Sequence, residues 1–173
     1  SVLCEPHRFL GSEKYLRKVR QVTRLPILYK DFISSRFQIA EAFAAGANAV
    51  LLIAAVLDDS SLADLIAFAY DIGLDALVET HDEIEIDRAV AAGARIVGVN
   101  CRNLRDFTCD VSLVESLIGR IPRQCIRVAE SGMHTRNAIQ LAKAAGADAF
   151  LVGTALMRSP SPGSKLREFI SLS

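Results

Sequence analysis

The chain has 173 residues, 51% of them hydrophobic, and its 20 acidic and 20 basic side chains give a formal net charge of zero. This size and composition predict a single globular α/β domain with a sizeable buried core. The lack of a basic excess argues against a nucleic-acid partner, and no apolar run is long enough to cross a bilayer, which argues against a membrane partner.

Seven short apolar segments alternate with amphipathic segments, beginning near residues 2, 25, 49, 75, 96, 125 and 149. This alternation predicts seven βα units and a parallel sheet. Seven units are about one short of a complete (β/α)8 TIM barrel, so we predict an incomplete barrel in one catalytic domain over residues 1–173. A doubly wound open sheet is the alternative, but no GxGxxG motif follows any of the segments.

The helical segments carry their own start and stop signals. An Ala-Ala-Gly-Ala repeat occurs three times, at residues 44–47, 91–94 and 144–147. Each of its glycines is placed to end a helix. Thr80 and Glu83 have the spacing of a capping box at a helix start, and Thr135 is placed to cap another helix.

Side chains able to do chemistry follow the strands at their C-terminal ends. The strands at 25–29, 76–78, 96–99 and 126–129 lead into Lys30, Glu79, Asn100 and Glu130 respectively. In a parallel barrel these ends face one mouth, where such barrels keep their active sites, so an enzyme is predicted. Lys30 is a candidate general acid or anion clamp and Glu79 a candidate base; the alternative is a structural ion pair at the rim.

The last two strand ends predict a phosphate site. Ser131 and Gly132 follow the strand at 126–129, and Gly153 and Thr154 follow the segment that begins near residue 149. In barrels the loops after the last two strands often bind phosphate through backbone N–H groups. A glycine lets the backbone approach closely, and a hydroxyl can donate a hydrogen bond.

Three further residues are candidate contacts for a substrate. Arg102 has the fork geometry that suits a carboxylate, with a solvated loop arginine as the alternative. Phe9 and Phe32, in or near loops at the same face, are candidate walls of an apolar pocket, with packing on a neighbouring helix as the alternative.

The four cysteines, Cys4, Cys101, Cys109 and Cys125, show neither CxxC spacing nor the density of a disulfide scaffold. We therefore expect four thiols in a reducing compartment, which predicts a cytoplasmic protein or one of a plastid stroma. No cluster of His, Cys, Asp and Glu has metal-ligand spacing, so no metal site is predicted.

Seven motifs occur in a fixed order: SVLCEP at 1–6, FLGS at 9–12, LPILYKDFI at 25–33, ALVE at 76–79, VGVNCRNL at 97–104, AESG at 129–132 and LVGTALM at 151–157. Together they resemble the indole-3-glycerol-phosphate synthase family over essentially the whole chain. The resemblance implies a carboxy-lyase of tryptophan biosynthesis that uses no cofactor. Its substrate is 1-(2-carboxyphenylamino)-1-deoxyribulose 5-phosphate, and its products are indole-3-glycerol phosphate, carbon dioxide and water.

The resemblance also implies roles for five catalytic residues. Lys30 is the general acid that protonates the ribulose oxygen as the aryl carbon attacks, and Glu79 is its base partner. Asn100 holds the substrate hydroxyls. Glu130 and Ser131 shape the catalytic mouth.

Substrate-binding roles follow from the same resemblance. Arg102 meets the anthranilate carboxylate, and Phe9 and Phe32 flank the aromatic ring. Three residues hold the phosphate: Gly132, Gly153 and Thr154.

The chain departs from the family at three positions. The family usually has Thr where Cys4 stands and Asn where Cys101 stands, and it often has Arg or Cys where Tyr29 stands. The family's first strand, with a Glu, a second catalytic Lys and a following Ser-Pro phosphate loop, has no counterpart in these residues. We therefore expect the chain alone to be inactive or nearly so and to self-associate or aggregate. A fragment that supplies the family's first βα unit is expected to restore both solubility and turnover.

The expected partners are a phosphorylated small molecule and, beyond it, a second tryptophan-pathway domain or a complementing fragment. Two other functions stay open at this point. One is a non-catalytic partial barrel that needs a complementing N-terminal segment. The other is a different phosphate-binding barrel, such as phosphoribosylanthranilate isomerase or the tryptophan synthase α subunit.

Overall fold

The structure is a computed structural model that describes residues 1–102 and 111–171. These residues divide into two compact units. The first comprises residues 1–79 and 87–96, and the second comprises residues 80–86 and the described residues from 97 onward. The assignment of one catalytic domain to residues 1–173 stays a prediction.

Parallel strands joined by helices build the first unit. Its strands are β1 (Val2–Leu3), β2 (Leu28–Lys30), β3 (Ala49–Ile53) and β4 (Asp75–Thr80), which pair in that order. Its helices are α1 (Glu13–Val22), α2 (Arg36–Ala45) and α3 (Asp59–Asp71), with a 3₁₀ turn at Ala54–Val56. In the ladder Leu3 lies opposite Lys30, and Ile53 lies opposite Glu79.

Helix α4 (Glu83–Ala91) and strand β5 (Ile96–Asn100) contain residues of both units. The second unit continues with α5 (Val111–Ile118), β6 (Ile126–Glu130), α6 (Arg136–Ala145), β7 (Ala149–Leu151), α7 (Thr154–Met157) and α8 (Pro162–Ile170). Strands β6 and β7 are parallel, and Glu130 lies opposite Leu151.

The strand order within each unit decides the fold class. Strands β1 to β4 and strands β5 to β7 each follow the order of the chain. A doubly wound sheet reverses its order at a switch point, whereas a (β/α)8 barrel does not. The prediction of an α/β TIM-barrel fold with about seven βα units is therefore confirmed, since the described residues contain seven strands.

A stripe of apolar side chains explains why helix α3 packs on the strands. On α3 the side chains at positions i, i+3, i+4 and i+7 are buried, namely Leu62, Leu65, Ile66 and Ala69. The side chain of Asp58 caps this helix by accepting a hydrogen bond from the N–H of Ser61. Burial of one stripe of a helix is the main source of its stability in a protein.

The repeated glycines end helices as predicted. Their φ angles are +93° at Gly46, +88° at Gly93 and +114° at Gly146, in the left-handed region that glycine adopts easily. The prediction for Thr135 is also confirmed, because its hydroxyl accepts a hydrogen bond from the N–H of Ala138 at 3.2 Å.

The predicted capping box at Thr80 and Glu83 is wrong. Thr80 is the last residue of β4 and is fully buried, and its hydroxyl donates to the carbonyl of Gly98 at 2.8 Å. Asp82 takes the capping position instead and accepts a hydrogen bond from the N–H of Glu85 at 2.8 Å. A buried hydroxyl has to find a partner, and here that partner is the carbonyl of Gly98 rather than a helix N–H.

Four of the five candidate catalytic residues lie inside the strands, not after them, whereas Ser131 follows β6. Strand β2 ends at Lys30 but begins only at Leu28, so its predicted start at Leu25 is wrong. Leu25 is 72% exposed, and Pro26 has no N–H to donate to a sheet. Asn100 and Glu130 are likewise the last residues of β5 and β6.

The cysteines differ from the expectation at one position. Cys4 and Cys125 are thiols, but Cys101 is disulfide-bonded, so the expectation of four thiols is wrong at Cys101. The absence of CxxC spacing does not exclude a disulfide, because a disulfide requires only that two Cα atoms come within about 7 Å of each other. Cys109 lies outside the described residues.

Candidate active site

Lys30 and Glu79 form an ion pair in the first unit. The Lys30 Nζ atom lies 3.5 Å from Glu79 Oε2, and the two side chains are 25% and 3% exposed. Lys30 is on β2 and Glu79 on β4, which are alternate strands, and alternate strands of a barrel contribute side chains to one layer. A tight N–H···O bond is about 2.7–3.2 Å long, so the ammonium and the carboxylate are close without being locked together.

Three ionisable groups lie near Lys30: Tyr29 on β2, Asp31 directly after β2, and Cys4 directly after β1. Burial and, as a smaller contribution, the nearby Asp31 carboxylate raise the pKa of the Cys4 thiol to about 12. Burial also raises the pKa of Tyr29 and that of Asp31. The Cys4 thiol and the Tyr29 phenol are therefore neutral at neutral pH and are not available as anionic nucleophiles or bases.

Two aromatic rings from neighbouring loops meet in the first unit. The rings of Phe9 and Phe32 have centroids 5.9 Å apart and an interplanar angle of 27°. This is within the range of about 4.5–7 Å for stacked aromatic pairs. Phe9 is 43% exposed, so the pair presents an apolar surface to the outside.

In the second unit the Glu130 carboxyl lies against a glycine of the neighbouring strand. Glu130 is only 1% exposed. A Cβ atom built at Gly98 would lie 2.0 Å from Glu130 Oε1 and 3.0 Å from Glu130 Cδ. No side chain larger than hydrogen fits at position 98 while Glu130 keeps this position.

The end of β5 carries a polar turn. Asn100 is 7% exposed, and its Oδ1 accepts a hydrogen bond from the N–H of Arg102 at 2.9 Å. The turn thereby fixes the backbone of Arg102 to the Asn100 side chain. Asn103 and Leu104, which belong to the same sequence motif, lie outside the described residues.

The two candidate phosphate loops leave neighbouring strands. Because Glu130 lies opposite Leu151, the loops after β6 and β7 start side by side. Ser131 and Gly132 have φ angles of +60° and +67°, so the backbone turns sharply there. Gly153 and Thr154 are exposed at the start of α7, and the space where a side chain of Gly153 would be is open.

The sequence model of one family, described as indole-3-glycerol phosphate synthase, matches residues 1–169. The chain belongs to the indole-3-glycerol phosphate synthase family. An indole-3-glycerol phosphate synthase of Campylobacter jejuni subsp. doylei is 46% identical over 170 residues, and that of Campylobacter concisus is 44% identical over 168 residues. The alignments cover 98% and 97% of this chain but 66% and 64% of the relatives, so the chain spans slightly less than two thirds of their length.

Solved structures with a similar fold have low sequence identity to this member of the indole-3-glycerol phosphate synthase family. Orotidine 5'-phosphate decarboxylase from Pyrococcus horikoshii gives a TM-score of 0.71 at 16% identity, over 92% of this chain and 80% of that chain. Mandelate oxidase with 3,3-difluoro-2-hydroxy-3-phenylpropionic acid gives 0.69 at 16% identity, over 90% and 57%. At such identities the likeness shows the fold alone.

The structure brings the residues implied by the synthase resemblance together in small groups. Lys30 contacts Glu79, and Phe9 contacts Phe32. The other seven residues form the polar turn, the end of β6 and the two phosphate loops: Asn100, Arg102, Glu130, Ser131, Gly132, Gly153 and Thr154.

Sequence reasoning assigned no role to Glu5 or Gly98, two residues that shape these groups. Glu5 is visible in the sequence as a polar residue shortly after the first strand. Its carboxylate accepts hydrogen bonds from the N–H groups of residues 7–9, and these bonds exist only in the folded loop. In the sequence Gly98 is a glycine inside a strand. Such a glycine indicates that another group approaches the backbone closely, but the sequence does not show that this group is Glu130. Among the described residues no three metal-ligating side chains cluster, and the absence of a metal or cofactor stays a prediction.

Proposed function

We propose that this chain carries most of the active site of an indole-3-glycerol phosphate synthase. The reaction closes the indole ring of 1-(2-carboxyphenylamino)-1-deoxyribulose 5-phosphate, with loss of carbon dioxide and water. The Lys30–Glu79 pair carries the proposal, because a lysine and a buried glutamate 3.5 Å apart supply an acid and a base at one place. Family membership supports the same reaction.

Lys30 and Glu79 are proposed to carry out the proton transfers of the reaction. Ring closure places negative charge on the ribulose carbonyl oxygen as the aryl carbon attacks, and the Lys30 ammonium donates a proton to that oxygen. Glu79 holds the ammonium in place through the ion pair. Loss of carbon dioxide restores the benzene ring, and the Glu79 carboxylate accepts the carbon-bound proton that is lost with the hydroxyl in the dehydration that completes the indole. The 3% exposure of Glu79 keeps water away, which strengthens the electrostatic interaction with the ammonium.

The end of β5 is proposed to hold the substrate's carboxylate and hydroxyls. A guanidinium binds a carboxylate through two parallel hydrogen bonds, so Arg102 is the proposed partner of the anthranilate carboxylate that leaves as carbon dioxide. Asn100 is proposed to bind the substrate hydroxyls, and its Oδ1 atom accepts a hydrogen bond from the backbone N–H of Arg102. Glu130 and Ser131 are proposed to line the same mouth.

The phosphate is proposed to bind at the loops after β6 and β7. Gly132 and Gly153 allow a close approach of the backbone, and the exposed Thr154 supplies a hydroxyl donor. The side-by-side start of the two loops supports one shared site. The aromatic ring of the substrate is proposed to pack against Phe9 and Phe32.

Partners and location are proposed with the function. The substrate is a phosphorylated small molecule, and a second tryptophan-pathway domain or a complementing fragment is the proposed macromolecular partner, with no nucleic acid and no membrane involved. No helix among the described residues is both long and apolar enough to cross a membrane. The thiols at Cys4 and Cys125 support a cytoplasmic location, whereas the disulfide at Cys101 does not.

Two other functions compete with this proposal. Family membership disfavours a different phosphate-binding barrel such as phosphoribosylanthranilate isomerase. A non-catalytic partial barrel is favoured by one observation, that the chain spans about two thirds of the length of its relatives. Self-association of the 173-residue polypeptide is the accompanying prediction, and light scattering measures it.

Turnover by two matched samples tests the proposal. One sample is the 173-residue chain, and the other is the same chain mixed with the first βα unit of the Campylobacter jejuni relative. Formation of indole-3-glycerol phosphate is followed by the absorbance and fluorescence of the new indole ring. Turnover in either sample supports the proposal, and turnover only in the mixture supports the complementing fragment. Absence of product in both samples, with circular dichroism showing folded protein, contradicts the synthase function.

A further inference from the structure

The loop after β1 is folded around one buried carboxylate. Glu5 Oε1 accepts a hydrogen bond from the N–H of His7 at 2.8 Å, and Glu5 Oε2 accepts from the N–H groups of Arg8 at 2.6 Å and Phe9 at 2.9 Å. Glu5 is 7% exposed. Three successive N–H groups thus point at one side chain, and the last of them belongs to Phe9.

The same loop is closed at its far end. The N–H of Gly11 donates to the carbonyl of Glu5 at 2.7 Å, and the N–H of Ser12 donates to the carbonyl of Leu3 at 3.2 Å. A Cβ atom at Gly11 would lie 2.4 Å from that Leu3 carbonyl oxygen, so only glycine permits this approach. Residues 5–11 therefore form a closed loop with the Glu5 carboxylate inside it.

The charge of Glu5 fits this arrangement. Burial by itself raises the pKa of Glu5, but the N–H groups of His7, Arg8 and Phe9 outweigh it and lower the pKa overall. The side chain is therefore a carboxylate at neutral pH. A carboxylate accepts only, and it has enough lone pairs for three donors.

The second ring of the aromatic pair is fixed by its own strand and helix. Asp31 Oδ1 accepts from the N–H of Phe32 at 2.7 Å, and Gln38 Nε2 donates to the carbonyl of Phe32 at 3.0 Å. The Phe32 backbone is thus bonded on both sides. The position of Phe9 against Phe32 therefore depends on how the loop around Glu5 is held.

We infer that Glu5 is a positioning residue, which sets the Phe9–Phe32 surface on which the aromatic ring of the substrate packs. This inference rests on the proposed synthase function. Glu5 does not touch the substrate, and it acts through the backbone of Phe9. Its loss opens the 5.9 Å contact between the rings and weakens binding of ligands that carry an aromatic ring.

A pair of ligands separates this role from a general structural one. Indole-3-glycerol phosphate carries the aromatic ring, and glycerol 3-phosphate carries the same phosphate end without it. Calorimetric titration of Glu5→Gln is expected to show about tenfold weaker binding of the ring-bearing ligand and unchanged binding of glycerol 3-phosphate. Glu13→Gln, which removes a half-buried carboxylate paired with Arg17, is the matched control and binds both ligands as the wild type does.

A double-mutant cycle with Phe9→Ala tests the route of the effect. If Glu5 acts through Phe9, Glu5→Gln costs about tenfold in the wild-type background and less than about twofold in the Phe9→Ala background. In turnover the effect is expected on KM more than on kcat. Glu5→Asp keeps the charge with a shorter reach, gives an intermediate loss, and replaces Glu5→Gln if that variant does not fold.

The inference is overturned if Glu5→Gln weakens the binding of both ligands equally, or if the affinity losses of Glu5→Gln and Phe9→Ala are additive in the double variant. The assays use the form of the protein that turns the substrate over. If no form turns over or binds indole-3-glycerol phosphate, the proposed function fails and the inference fails with it. If the wild type turns over the substrate and binds indole-3-glycerol phosphate, but Glu5→Gln changes the affinity for both ligands by the same factor, only the positioning role fails.

Discussion

At the scale of single residues, the acid–base role proposed for Lys30 and Glu79 is open to a direct test. Lys30→Met and Glu79→Gln are each expected to lower kcat/KM by about 10²-fold or more, the usual loss when a general acid or base is removed. Steady-state turnover measures it in the active form of the protein. Lys18→Met, at an exposed position of α1, is the matched control and keeps wild-type turnover.

The double variant Lys30→Met/Glu79→Gln distinguishes catalysis from a structural ion pair. Lys30→Met alone takes the ammonium away from a carboxylate that is 3% exposed, so the free energy of unfolding falls as well. The second change removes the buried charge and restores part of that stability. Stability that recovers without turnover supports the catalytic role, and near-normal turnover in both single variants would reduce the pair to a structural contact.

Gly98 supports a second residue-level prediction. Gly98→Ala places a methyl group where a Cβ would be 2.0 Å from Glu130 Oε1, so the carboxyl has to move. A displacement of about 1 Å at a reacting group costs about 10²-fold in rate, and we expect a fall in kcat/KM of that order. Gly119→Ala is the control, because its Cβ would meet only the Ala145 carbonyl at an ordinary 3.6 Å. A fully active Gly98→Ala variant would show that Glu130 is not needed where it stands.

At the scale of helices, Thr135 provides a test of one predicted cap. Its hydroxyl accepts a hydrogen bond from the N–H of Ala138 at the start of α6. Thr135→Ala is expected to lower the free energy of unfolding by about 1 kcal/mol, and Thr135→Ser to leave it nearly unchanged because the hydroxyl remains. Urea unfolding measures both variants. Equal stabilities of Thr135→Ala and Thr135→Ser would show that the cap contributes nothing.

The two threonines show how far local sequence patterns predict an element. Thr135 is exposed and its hydroxyl caps a helix, whereas Thr80 is fully buried and donates to Gly98 on another strand. Both residues precede an apolar helical pattern, so spacing alone does not separate them. What separates them is burial, which is set by contacts between residues 18 positions apart.

At the scale of the whole molecule, the regular alternation of strands and helices could be predicted from the sequence, because parallel strands and their helices repeat with a visible period. The polar residues at strand ends were predictable for the same reason. The loop around Glu5, the space that Gly98 leaves and the disulfide at Cys101 were not. Each depends on which residues meet in space, and neither apolar periodicity nor cysteine spacing carries that information.

Acid stability is a property of the whole molecule and supports the last prediction. Several carboxyl groups have a lowered pKa in the folded protein, because they accept hydrogen bonds from N–H groups, hydroxyls or guanidinium groups: Glu5, Asp58, Asp64 and Asp148. Each of them stabilises the fold above its unfolded-state pKa of about 4, and this stabilisation is lost as the pH falls. Asp31 has the opposite sign, since burial raises its pKa and protonation removes that cost.

Because four carboxyl groups with a lowered pKa outnumber the one with a raised pKa, we expect the melting temperature to fall below about pH 4. Asp148→Asn tests the cause, because it removes the carboxylate that accepts two hydrogen bonds from the Arg127 guanidinium. The variant melts below the wild type at pH 7, and this gap narrows as the pH falls below about 4, because the carboxyl of the unfolded chain is protonated first and the folded carboxylate, with its lowered pKa, follows at lower pH. Circular dichroism melts across this range measure the gap. If it stays constant from pH 7 to pH 3, the hydrogen bonds from Arg127 are not the source of the acid sensitivity.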